Sequence, residues 1–280
     1  MAAGCGGSRN SLKLNGSLSF MKGILLMSQA DKAQAFAQLH RVGDPLFLYN
    51  VWDAGGAMAI EDAGAKAIAT GSMSMALAHG YEDGQKIPFD LVIAIVSQMC
   101  KAVALPVTVD FEGGYAEDLE GLTANCSRLL DAGAIGINFE DQIVDGQGLH
   151  TIEKQCDRIA TIRHVAKGAN IPLFVNARTD LFLQQNDKGK HKTLVADAIE
   201  RGKAYAHAGA SGFFIPGLTD LPAIKEICGA VELPVNVMRT GTTPTKSELA
   251  STGISRLSCG PGPYFDFVDR TKAAFKLHDK

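Results

Sequence analysis

Asp110 closes the apolar run Val107-Thr108-Val109, Glu112 stands two residues later, and Glu140 follows the next such run, Ile135-Gly136-Ile137. Residues two apart on an extended strand share a face, so Asp110 and Glu112 are expected to point the same way. Three carboxylates brought to one place repel each other strongly unless a cation or protons intervene. All three are hard oxygen donors, and no His or Cys stands at ligand spacing beside them. That donor set selects Mg²⁺, which suits a site of few carboxylates and retained waters. Taken singly, each acid would serve equally well as a helix cap or an arginine partner.

Arg178 follows the run Leu173-Phe174-Val175 and precedes Thr179-Asp180. Its fixed fork of donors suits a substrate carboxylate, the alternative being an ion pair with Glu140 or Asp180. Thr70-Gly71-Ser72 offers backbone N–H groups, and Gly lets a ligand approach closely. Asp53 reads as a helix N-cap. His79 and His150 are acid or base candidates in loops. Cys156 joins Ile152, Ile159 and Ile162 in an apolar helical stripe and reads as packing.

The elements that must position these residues form one repeating pattern. Short apolar runs alternate with helical stretches: residues 46–49, 67–69, 107–109, 135–137, 173–175, 212–215, 235–237 and 256–258. Each is too short for a helix and suits a strand buried on both faces. Gly64, Gly133, Gly209 and Gly253 stand just before strands, where Gly ends a helix in the left-handed conformation. Pro106, Pro172 and Pro234 open strands, where the missing N–H is tolerated. Eight strands alternating with helices imply a parallel sheet with right-handed crossovers, and eight is the number that closes a (β/α)₈ TIM barrel. An open doubly wound sheet would need a phosphate turn after the first strand, and Asp53-Ala54-Gly55-Gly56 does not match GxGxxG. Asp110, Glu112, Glu140, Asp141, Arg178, Asp180 and Arg239 follow the C-terminal ends of strands, where such a barrel does its chemistry, and Asn236 stands within the seventh run.

The chain has 280 residues, about the length of one such barrel, with 46% hydrophobic and 20% charged residues. Net charge is −3, from 27 basic and 30 acidic residues, so no bulk attraction to nucleic acid or anionic membrane is expected. No apolar run approaches the ~20 residues of a bilayer span. Six cysteines form no CxxC pair, which points to reduced thiols and a cytoplasmic setting. Residues 1–27 are rich in Gly and Ser and are expected to be a disordered or misannotated extension, leaving 28–280 as a single catalytic domain.

Together the segments Ala69-Thr70-Gly71-Ser72, Gly80-Tyr81-Glu82-Asp83-Gly84, Val109-Asp110-Phe111-Glu112-Gly113-Gly114-Tyr115, Asn138-Phe139-Glu140-Asp141, Asn176-Ala177-Arg178-Thr179-Asp180 and Leu233-Pro234-Val235-Asn236 resemble the isocitrate lyase/phosphoenolpyruvate mutase superfamily. The resemblance runs from about Leu46 to Pro261. It implies a (β/α)₈ barrel, Mg²⁺ or Mn²⁺, and small 2-oxo or 2-hydroxy acid substrates. It also implies Asp110 as direct metal ligand, with Asp83, Glu112 and Glu140 holding metal-bound water. Gly71, Ser72, Arg178 and Asn236 match substrate-binding positions. Dimers or tetramers are implied too, with a C-terminal helix over Tyr264–Lys276 packed on a neighbouring copy.

The chain departs from the family's lyases in the loop Gln142–His150, which is short and lacks their Lys-Lys/Arg-Cys-Gly-His signature. The mutase signature Lys-Thr-Asn-Ser is absent as well, and Pro216 stands where mutases carry His and lyases Glu. The metal and oxo-acid platform that the resemblance implies still points to a Mg²⁺-dependent C–C lyase acting through an enolate, with Arg178, Glu112 and His150 as candidate catalytic groups. Phosphonopyruvate hydrolase or mutase-type chemistry, and a catalytically silent acid-binding barrel, are the alternatives.

Overall fold

The computed structural model describes residues 27–241 and 243–279. The N-terminal extension expected over 1–27 thus lies outside the described residues, apart from Met27.

The described chain begins with α1 (Gln29–Gln38), which Ser28 opens through a capping box with Asp31. Alternating elements follow: β1 (Leu46–Leu48), β2 (Asn50–Val51), α2 (Ala54–Asp62), β3 (Ile68–Thr70), α3 (Ser72–Ala78), α4 (Phe89–Ala102), β4 (Val107–Asp110), α5 (Leu119–Asp131), β5 (Gly136–Glu140), α6 (Ile152–Gly168) and β6 (Phe174–Arg178). The second half comprises α7 (Leu181–Gln184), a 3₁₀ turn (Lys188–Leu194), α8 (Val195–His207), β7 (Gly212–Phe214), α9 (Leu221–Ala230), β8 (Val235–Met238), α10 (Lys246–Ala250), β9 (Arg256–Ser258) and α11 (Gly262–His278). All eight expected runs contain strands. The helix-ending glycines at 64, 133, 209 and 253 have φ between +90° and +103°, and Asp53 caps α2 by accepting from the Gly56 N–H.

Every strand pairing is parallel, in the order β1-β9-β8-β7-β6-β5-β4-β3-β2. Nine segments appear where eight were expected because the first stave is interrupted at Tyr49. Its first half pairs with β9 and its second with β3, so the two edges of the sheet belong to one stave and the sheet meets itself.

Two apolar clusters hold this wall. The larger lies between barrel and helices and includes Ile68, Val109, Ile137, Val175, Phe213 and Leu257. The smaller plugs the barrel floor, where Ala33 and Phe36 of α1 meet Leu46, Leu48, Ala69, Ile135 and Phe174. Above that plug the interior turns polar. Asn176 donates to Asn138 Oδ1 at 2.9 Å and to Asn236 Oδ1 at 3.1 Å, while Arg256 Nη2 reaches Asn138 Oδ1 at 3.1 Å. Arg256 and Asn138 lie four strands apart around the sheet, so that bond crosses the lumen. Gly212 makes room for the Asn176 amide: a Cβ there would stand 2.7 Å from Asn176 Oδ1.

Candidate active site

Asp110 ends β4 at the barrel mouth, and Ser72 at the start of α3 holds it. The Ser72 N–H and hydroxyl donate to Asp110 Oδ2 at 3.1 and 2.8 Å, and the Asp110 N–H donates to Thr70 Oγ1 at 2.8 Å. Asp110 Oδ1 is buried and has no partner. A carboxylate with one oxygen clamped and the other left unpaired is arranged for a ligand that supplies positive charge.

Glu112 differs from its expected placement. The strand stops at Asp110, and Glu112 sits in a turn with φ +49°, so a simple pleat does not align the two acids. The turn nevertheless buries Glu112, whose Oε2 accepts the Gln85 N–H at 2.9 Å and whose Oε1 accepts the Tyr115 hydroxyl at 2.8 Å. Burial first, then the Asp110 charge, pushes its pKa from 4.5 to about 7. Asp83 is raised by burial and by Asp110. Glu140, at the end of β5, is raised well above the usual carboxylate range by burial, with Arg178 opposing and Asp180, Asp110 and Glu112 adding to the rise. The four acids therefore share one field. They do not form a ready-made cage: among the described residues no three Asp, Glu, His or Cys side chains are grouped closely enough to hold an ion by themselves. An ion at Asp110 would complete its shell with water, as Mg²⁺ commonly does.

Arg178 realises both readings of its surroundings. Its Nε and Nη2 donate to Asp180 at 2.5 and 2.9 Å, and Nη1 lies 3.0 Å from Glu140 Oε2. Burial alone would lower its pKa, but Glu140 and Asp180 override this and lock the positive charge in place. With three of five guanidinium N–H groups engaged, two remain for a ligand.

Other expected residues take supporting places. Thr70 is buried beneath Asp110, and the donors of Ser72 are spent on Asp110. Gly71 is the N-cap position of α3. Asn236 is fully buried in the interior polar layer, where it accepts from Asn176 and donates to the Val237 carbonyl. His79 caps the end of α3 and contacts the Met75 carbonyl. His150 is buried away from the acids: its charged neighbours are Arg158, Lys154 and Glu117, and burial lowers its pKa to about 4.

Sequence reasoning gave no role to Tyr115, Asn138, Asn176 or Arg256. The signal for two of them was present, since Asn138 and Asn176 stand two residues before Glu140 and Arg178 and so share their inward face.

A parallel barrel whose mouth gathers acids around one clamped aspartate, with a locked arginine beside them, is the frame of a barrel enzyme. The phosphoenolpyruvate phosphomutase family model matches residues 36–277, and the chain belongs to that family. Its relatives include 2-methylisocitrate lyases and a phosphoenolpyruvate phosphomutase. A Burkholderia cenocepacia J2315 structure, provisionally named a phosphonomutase, is 41% identical with a TM-score of 0.87, covering 90% of this chain and 100% of its own. An uncharacterised protein of Mycobacterium tuberculosis (strain ATCC 25618 / H37Rv) is 31% identical, covering 82% of this chain and 83% of its own. The 2-methylisocitrate lyase of Escherichia coli (strain K12) is 27% identical, covering 82% and 78%. Among the described residues no helix is long and apolar enough to cross a membrane.

Proposed function

We propose that the mouth holds Mg²⁺ through Asp110, with Asp83, Glu112 and Glu140 acting through water, and that the enzyme cleaves a C–C bond in a small 2-oxo or 2-hydroxy (di)carboxylic acid through an enolate. The observation that carries this is the buried, unpartnered Asp110 Oδ1 among four acids in one field. When bound, the ion supplies a Lewis acid for negative charge developing on the substrate. The chain's own residues do the rest. Ser72 orients Asp110, so the carboxylate need not reorganise. The two unengaged N–H groups of Arg178 bind a substrate carboxylate, and Glu140 and Asp180 fix their direction. Glu112, buried beside Asp110 and hydrogen-bonded by the Tyr115 hydroxyl, is the mouth group placed to hold or move a proton. This assigns the proton to Glu112 rather than His150. The short loop Gln142–Leu149, joined at its base by a bridge between those two residues, would close over the site against water.

The reading takes residues 28–280 as one cytoplasmic catalytic unit that pairs with further copies of itself. The exposed Phe265, Phe267, Phe275 and Leu277 on α11 fit such a contact. Turnover of oxaloacetate and related acids, followed by release of pyruvate or glyoxylate with and without EDTA, tests the proposal; absence of any metal-dependent product would overturn it. The 41% identity to a provisionally named phosphonomutase favours one second reading, P–C bond chemistry on the same platform. Phosphate release from phosphonopyruvate, followed by ³¹P NMR, distinguishes the two.

A further inference from the structure

Two residues of α6, neither at the mouth, bind the backbone of both acid-bearing turns. Arg158 is 1% exposed. Its Nη2 donates to the Gly113 carbonyl and, at 3.1 Å, to the Ala116 carbonyl, while its guanidinium lies over the Phe139 ring at 4.9 Å. Its Nη1 donates to Gln155 Oε1 at 3.2 Å, and Gln155 Nε2 donates to the Glu140 carbonyl at 3.0 Å. One connected pair thus spans the turn carrying Glu112 and the strand end carrying Glu140.

The Glu112 turn needs such a hold. Glu112 and Tyr115 occupy the left-handed region at φ +49° and +54°, with Gly114 at +83° between them. Side-chain-bearing residues stay there only when their surroundings over-determine the conformation. The 112 and 140 segments are also joined directly, by the Glu140 N–H donating to the Glu112 carbonyl at 3.0 Å, so a shift in one turn carries the other with it.

We infer that Arg158 and Gln155 are positioning residues for the metal site: they set the placement of Glu112 and Glu140 and thereby the affinity for Mg²⁺. This inference rests on the metal reading proposed above. Outer partners of metal-site groups typically change metal affinity by about 10–100-fold when removed.

The same helix provides the control. Arg163 binds carbonyls too, at Gly209 and Leu173, together with Ser211 Oγ, but none of these segments carries a site acid. Arg158→Met, Gln155→Met and Arg163→Met are compared with wild type by isothermal titration with MgCl₂ and by thermal unfolding in EDTA. The expected result is a Mg²⁺ Kd raised about 10–100-fold in Arg158→Met, raised in the same direction in Gln155→Met, and unchanged in Arg163→Met, even where Arg163→Met lowers Tm as much. Should Arg158→Met fail to fold, Gln155→Met decides alone, since it removes the bonds to the Glu140 carbonyl and to Arg158 Nη1 while Arg158 keeps the Gly113 and Ala116 carbonyls. Wild-type affinity in the variants, or equal weakening in Arg163→Met, would overturn the positioning role while leaving the metal reading intact. A wild-type chain that binds no Mg²⁺ overturns the metal reading, and this inference with it.

Discussion

Replacing Glu112 by Gln should remove a pH-dependent weakness from the metal-free protein. Glu112 is buried and its pKa stands at about 7 against an ordinary 4.5. A raised carboxyl pKa means that the folded state favours the protonated form. Below about pH 4.5 the group is protonated in both states and contributes nothing. Between about 4.5 and 7 the unfolded chain releases the proton while the folded chain retains it, so stability falls, and above about 7 the loss is complete. The rise corresponds to about 3 kcal/mol. Glutamine has the same shape; its oxygen can accept the Gln85 N–H and its amide can donate to the Tyr115 oxygen, so the turn keeps both contacts. Denaturant unfolding in EDTA at pH 5, 6, 7 and 8 measures the difference. The wild type should lose stability over this range relative to Glu112→Gln, by up to about 3 kcal/mol at pH 8. Superimposable profiles would refute the claim that burial and Asp110 impose this cost on Glu112.

Asp110→Asn should abolish Mg²⁺ binding in calorimetry without lowering the Tm in EDTA, because it keeps an oxygen for the Ser72 donors and removes a charge that Asp83, Glu112 and Glu140 all feel. Arg178→Met should destabilise the protein by about 3–5 kcal/mol in denaturant unfolding, since it leaves Glu140 and Asp180 buried without their cation. Gly114→Ala should cost at least about 1–3 kcal/mol in the same assay and weaken Mg²⁺ binding: φ is +83°, and a Cβ would stand 2.4 Å from Leu122 Cδ1.

The sequence by itself determined the staves and their order. Strand runs, opening prolines and helix-ending glycines are local signals, carried by residues within one turn or pleat of each other, and each expected run contains a strand. The division of the first stave at Tyr49 was not legible, because it depends on which neighbours its two halves meet after closure. The acids and Arg178 were visible as types at strand ends, but their partners were not. Ser72 holds Asp110 across 38 positions, Arg158 holds the Gly113 carbonyl across 45, and Arg256 reaches Asn138 across 118. Only the closed barrel decides such contacts, since closure brings distant strand ends to one rim and one lumen. It also set Ser72 against Asp110 as its clamp, and His150 against Arg158, Lys154 and Glu117. The chemistry of a side chain is written in its type, whereas its charge state and its free hydrogen-bonding atoms follow from what the fold packs against it.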